Sequence, residues 1–142
     1  MSSSPQFLNT ITTTGATISA ANANRDGTGT IVDLCTFRAT AGAAGGKVEG
    51  LIANAIGTTT AGMLRLYRKS VAGVYKLIRE IPVSAIIPSG TVKTWTIPTS
   101  EGADISGYLP FANLTFQAGE SLGASTHNAE SFHLTPVAGE VQ

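Results

Sequence analysis

The sequence predicts an all-β chain: a single-domain β-sandwich of jelly-roll or Greek-key-like topology over residues 21–142, led by an extended N-terminal arm over residues 1–20. Three observations carry this. Short runs rich in Thr and β-branched residues alternate with Gly, Ala, Asn and Thr turns along almost the whole chain, the pattern of a sandwich built from many short strands. The 142 residues suffice for one core and are too few for two. Helix is disfavoured because the Ala-rich stretches are broken by Gly and Thr, leaving one short turn near residues 98–105 as the best exception.

Each element has its own reason. Residues 1–20 are Ser/Thr-rich and nearly uncharged, with Phe7, Leu8, Ile11 and Ile18 as their sizeable apolar groups. They cannot make a core alone, and suit a strand added to a sheet or an arm laid on a neighbour. The polar turn Asn22-Ala-Asn-Arg-Asp-Gly27 leads into a period-2 run at 30–37, which fits a strand covered on one face. Residues 47–56 read as a second core strand and 57–62 as a flexible link. Residues 63–69 and 74–83 alternate apolar and charged groups around the turn 70–73, so they predict a hairpin in which opposite charges pair with Arg65 or Arg68. Residues 92–97 predict a strand with Trp95 as a core or interface anchor, followed by a long polar connection at 98–110. Runs at 111–116, 121–126 and 131–137, separated by turns at 117–120 and 127–130, complete the set. Alternation assigns faces to these strands but not neighbours.

The totals restrict function. Nine basic and nine acidic residues cancel, so no global field draws nucleic acid. Only 13% of residues are charged, which is sparse for a fully solvated surface and predicts that much of it faces other protein. Cys35 is the only cysteine, which excludes an intrachain disulfide, and its apolar run predicts a buried, inert thiol. There is no charged-then-apolar leader, and no apolar run approaches the ~20 residues that span a bilayer. The expectation is a protein made in the cytoplasm with no membrane partner.

Candidate chemistry is thin. Asn22, Asn24, Asp26 and Asp33, with Gly27 at the sixth position, mimic the spacing of a calcium loop, but two carboxylates without flanking helices favour an Asx-stabilised turn, with Arg25 and Asp26 available for ion pairs. His127, Glu130 and His133 lie close in sequence, yet zinc normally takes three or four ligands and Cys35 is far away; a turn capped by His127 is the simpler reading. No Gly-x-Ser-x-Gly elbow occurs, and the spacing of Glu80, Glu101, Asp104, Glu120 and Glu130 points to no carboxylate pair. No enzyme activity, cofactor or metal is therefore expected. Arg65, Arg68, Lys69, Lys76 and Arg79, interleaved with Tyr67 and Tyr75, form the one basic concentration, read as a solvated or subunit-contacting strand face.

Four phrases, Ile18-Ser-Ala-Ala-Asn-Ala-Asn-Arg-Asp-Gly-Thr-Gly29, Ile56-Gly-Thr-Thr-Thr-Ala-Gly-Met-Leu-Arg-Leu-Tyr67, Ile81-Pro-Val-Ser-Ala85 and Leu122-Gly-Ala-Ser-Thr-His-Asn-Ala-Glu130, resemble small structural proteins of tailed bacteriophages. The likeness covers most of the chain and carries no catalytic signature. It implies a β-sandwich virion component, a capsid decoration or cement protein that binds the major capsid protein on the capsid surface, with no direct nucleic-acid contact. The habit of such proteins implies a homo-oligomer, a trimer. The expected contact residues are Phe7, Leu8 and Ile11 of the arm, Arg25 and Asp26 of the first loop, and Arg65, Tyr67, Arg68 and Tyr75 of the hairpin. The alternatives are a tail, fibre or connector component, and a carbohydrate-binding sandwich with Trp95, Tyr67, Tyr75 or Tyr108 as stacking platform.

Overall fold

The computed structural model describes residues 8–10 and 15–141. Their strands are β1 (Leu8–Thr10), β2 (Ala16–Ile18), β3 (Val32–Thr36), β4 (Gly46–Ala55), β5 (Gly62–Lys69), β6 (Tyr75–Val83), β7 (Tyr108–Pro110), β8 (Thr115–Phe116), β9 (Ser121–Thr126) and β10 (Phe132–Val141), with one 3₁₀ turn at Thr99–Glu101. The topology starts at the turn between β5 and β6, where Ser70 N–H donates to the Val74 carbonyl and Gly73 N–H to the Ser70 carbonyl. Outward from that turn the pairs nest: β5 with β6, β4 with β7 and β8, β3 with β9, and β2 with β10. Each is antiparallel, so the chain behaves as one long hairpin. Two further antiparallel pairs, β10 with β4 and β9 with β5, roll it into two sheets, β1/β2-β10-β4-β7/β8 and β3-β9-β5-β6. This is the strand order of a jelly roll.

The core lies between the sheets and follows the predicted alternation. Val48, Leu51, Ala53 and Ala55 of β4, Leu64 and Leu66 of β5, Ile81 and Val83 of β6, and Phe132 and Leu134 of β10 all point inward and are buried. Each fully buried Leu, Ile, Val or Phe side chain contributes about 1.5–3 kcal/mol. Phe37 stacks on Phe116 at 5.2 Å, and Trp95 meets Phe132 edge-on at 5.7 Å. Trp95 is therefore a core residue. At the far end of β10, which runs past residue 137, Glu140 is buried and accepts from Arg38 N–H and Arg38 Nε, each at 2.6 Å, tying the closing strand to the end of β3.

The structure corrects three local expectations. Residues 92–97 form no strand: they touch β4 through a single bridge between Asn54 and Thr96 and the Ala55 N–H donated to Trp95. The strand beside β4 is instead β7, which pairs with Gly50–Ile52 from inside the predicted polar connection. Only Thr115–Phe116 of the 111–116 run is extended, because Asn113 sits at φ 56°, in the left-handed region that breaks a strand. Finally, Ala16–Ile18 belongs to the sheet, with Ile18 in the core, so the sandwich takes in the end of the predicted arm. Leu8 lies in β1, opposite Val141; Phe7 and Ile11 lie outside the described residues.

Candidate functional site

Two sheet faces point away from the core, and they differ. On the β3-β9-β5-β6 sheet, the outward residues of β5 are Arg65, Tyr67 and Lys69, opposite the small Ser125, Gly123 and Ser121 of β9. Small partners leave a shallow trough over the sheet. Residues 21–31 cross it as a strap, held at one end by a parallel bridge from Ala21 to Thr126 and the Asn22 N–H donated to the Thr126 carbonyl. Under the strap Arg65 is 1% exposed and Tyr67 fully buried. Arg65 Nε donates to Glu80 Oε2 at 2.9 Å, its Nη1 to the Asn22 carbonyl at 3.1 Å, and its Nη2 to His127 Nδ1 at 3.3 Å. The Tyr67 hydroxyl donates to the Asn24 carbonyl at 2.9 Å. From above, Arg25 Nε reaches the same Glu80 oxygen at 2.7 Å, and these two arginines hold the Glu80 carboxyl below its ordinary value, Arg25 most.

This overturns the reading of Arg65 and Tyr67 as a solvated or subunit-contacting face. The cross-hairpin pair of Arg65 with Glu80 exists, but the strap buries its arginine. The strap also removes Tyr67 as a sugar-stacking platform, and Trp95 is removed by its place in the core against Phe132. Arg68 is not on that face at all: it turns to the inner side, its guanidinium 4.3 Å above the Phe116 ring, bonded to Glu120 at 3.2 Å and to the Thr115 carbonyl at 2.7 Å. Tyr75 is half-buried at the strap's far edge, where its hydroxyl donates to Asp33 at 2.5 Å and Lys69 reaches the other Asp33 oxygen at 3.3 Å. Burial and that bond to Asp33 push the Tyr75 phenol well above its ordinary value.

Among the described residues, no segment covers the other outer face, which is bare in that sense. On the β10-β4-β7 side, register puts Thr135, Ile52 and Tyr108 in one row and Val137, Gly50 and Pro110 in the next. Ile52 is 38% and Val137 44% exposed, and Thr135 and His133 are exposed beside them. The only charges in β4 are Lys47 and Glu49, paired at 3.7 Å at one end. Tyr108 lies over Gly50, where a Cβ would stand 2.3 Å from its ring. A glycine inside a strand is the sequence signal for such a close approach, a role that alternation alone did not assign to Gly50. Ile52 and Val137 likewise went unnoticed, because their sharing one open surface depends on the pairing of β4 with β10.

The chemical candidates resolve locally. Asn22, the first position of the calcium-loop mimic, is a buried hub of the turn: it donates through its amide to the Thr28 and Thr30 carbonyls and accepts from Asn24 N–H. Asp26 accepts from the Thr28 N–H and hydroxyl, which holds its carboxyl below the ordinary value. Among the described residues Asp26 is in no ion pair, whereas Arg25 pairs with Glu80. Asp33 faces Tyr75 and Lys69. His127 faces Arg65, Glu130 accepts from Thr60 N–H and Oγ1 at 2.7 and 2.6 Å, and His133 stands on the bare face. Among the described residues no three His, Cys, Asp or Glu side chains gather as metal ligands. Burial pushes the Cys35 thiol up to about 12. Among the described residues no helix is long and apolar enough to cross a membrane. Compared with protein-family models, curated proteins and solved structures, the chain finds no match.

Proposed function

We propose that this chain is a non-enzymatic structural protein of a tailed-bacteriophage virion, a decoration or cement protein that binds the major capsid protein at the capsid surface as a homo-oligomer, a trimer. The observation that carries the reading is a jelly-roll sandwich with one sheet face sealed by its own strap and the other left bare and nearly uncharged. Jelly rolls recur in viral shell proteins and also in lectins, so the fold alone is an analogy. The phrases that resemble phage proteins include the strap, β5, and β9 with the bend that follows it. They account for the sealed face, which leaves contact to the bare one.

Ile52, Thr135 and Val137 are therefore the contact residues in this reading, with the arm beyond Leu8 as a further element; the exposed Arg25 and Asp26 lie on the strap over the opposite sheet, outside this contact. Many copies on one lattice gain from multivalency, so a modest apolar contact per copy gives firm retention. The test is protein stoichiometry on purified particles, heads and tails separated, against the major capsid protein. Hundreds of copies on DNA-filled heads support the proposal; few copies tracking with tails, or none, refute it. Ile52→Asp with Val137→Asp should leave the isolated domain folded and lower its affinity for heads by about tenfold or more, the value of one or two apolar side chains.

A further inference from the structure

Between β6, the edge of one sheet, and residues 110–114, beside the edge of the other, lies an open cleft of about 370 Å³ lined by Ile78, Arg79, Pro110, Phe111, Ala112 and Leu114. Its floor is apolar: Phe111 and Leu114 pack against the core from the cleft side. Ile78 is the extra residue of a bulge, since Leu66 pairs with Arg79 and Tyr67 with Leu77, and the bulge leaves it 39% exposed at the wall.

Arg79 sets the charge of this cleft. Arg25 and Arg65 pair with Glu80, Arg38 with Glu140 and Arg68 with Glu120. Arg79 donates through Nη2 to the Glu101 carbonyl and, among the described residues, has no carboxylate partner. Lys76, exposed on the same strand, adds a second positive charge along this edge. A guanidinium with unused donors beside an apolar floor selects an anion carried on an apolar body. The backbone edge of β6 is unsuited to continuous strand addition, because the Ile78 bulge interrupts its ladder and Pro82 lacks an N–H. An occupant must bind through its side chains.

We infer that this cleft takes a short extended segment of a partner protein, seating one large apolar side chain on Phe111 and Leu114 and pairing a nearby carboxylate with Arg79. The inference rests on the proposed function only in taking the partner to be a protein. The probe is the peptide acetyl-Thr-Ser-Thr-Leu-Thr-Glu-Ser-Thr-Thr-amide, titrated into the full chain labelled with ¹⁵N, alongside its Glu-to-Gln counterpart and butyrate. The Glu peptide should shift the amides of residues 77–79 and 111–114 by about 1 mM peptide. Binding should weaken about tenfold for the Gln peptide and for Arg79→Gln, which keeps a donor for Glu101. Ala112→Trp, a change at an exposed position that fills the cleft, should abolish it. No shifts at that concentration, equal affinity for the two peptides, indifference to Ala112→Trp, or butyrate binding as well as the peptide would each overturn the inference. The titration needs no particle, so its failure and a failure of the capsid role are read separately.

Discussion

The two outer faces of this sandwich invert the usual distribution of polarity. One hides an arginine at 1% exposure, while the other shows Ile52 and Val137 to the outside. Residue type does not explain the difference; the strap does. Residues 21–31 cross the sheet whose β9 offers Gly123 and two serines, and there Ile31 and Tyr75 fill the space over Gly123, where a Cβ would come within 2.9 Å of each. On the opposite sheet Tyr108 covers Gly50 but leaves the neighbouring rows open. A face that the chain closes with its own polar network contributes stability, and a face left apolar and open is available to a partner. Substitutions on the two should separate accordingly.

The largest effect belongs under the strap. Arg65→Ala deletes three donors at once, leaving the Asn22 carbonyl without its guanidinium and a cavity below the strap. Breaking a buried ion pair by removing one partner costs about 3–5 kcal/mol. The lower end applies, because Glu80 keeps Arg25, so urea unfolding should show a loss of about 3 kcal/mol. Ile52→Ser on the bare face should cost under about 1 kcal/mol, in keeping with a residue only partly withdrawn from water. Equal losses at the two positions would mean that the strap contributes no more than an ordinary loop.

The next effect tests how Tyr108 is held on the bare face. Gly50→Ala puts a methyl group into the tyrosine ring, and overpacking of this kind costs roughly 1–3 kcal/mol. In a Tyr108→Ala background the same substitution should cost less than about 0.5 kcal/mol, because the atoms it strikes are gone. A double-mutant cycle read by thermal unfolding measures the difference. Additive losses would show that Gly50 is required for backbone reasons, not to accommodate the ring.

How these features were legible in the sequence follows from their range. The sandwich, the inward residues of β4 to β6, the turn 70–73 and the burial of Cys35 came from alternation and local turn chemistry, which left Trp95 open between core and interface. The jelly-roll order did not, since β2 with β10 and β3 with β9 pair residues about a hundred positions apart. Arg65 and Tyr67 were misread for the same reason: the hairpin shows only its own two strands, and the strap arrives from forty residues upstream. A local clue existed in Ser121-Leu-Gly-Ala-Ser-Thr126, where all six residues prove buried. So small and uncharged a strand is suited to a sheet covered on both sides. For Ile52 and Val137 alternation offered a face, opposite Leu51 and Ala53 in one strand and Phe132 and Leu134 in the other, but that the two side chains share one open surface depends on the pairing of β4 with β10.

The smallest effect, and the most specific to the sealed face, lies in its response to acid. Glu80 accepts from Arg25 and Arg65, and these bonds favour the ionised carboxylate, so its folded pKa lies below the ordinary 4.5. A carboxyl depressed on folding contributes stability that is fully present above its unfolded value and is lost as pH falls through the folded one. Glu80→Gln keeps an acceptor oxygen for the two arginines, which share one Glu80 oxygen, and discards the charge. Compared with the native chain it should be less stable by about 1 kcal/mol at neutral pH, a charge-assisted hydrogen bond discounted for partial exposure. That deficit should hold down to roughly pH 5 and shrink below the ordinary value of 4.5 as the native carboxyl takes up its proton. Urea midpoints measured from pH 7 to pH 3 give the two curves directly. Convergence at low pH assigns the acid response of the sealed face to Glu80; parallel curves would place the anchoring of the strap in the uncharged bonds of Asn22 and Tyr67.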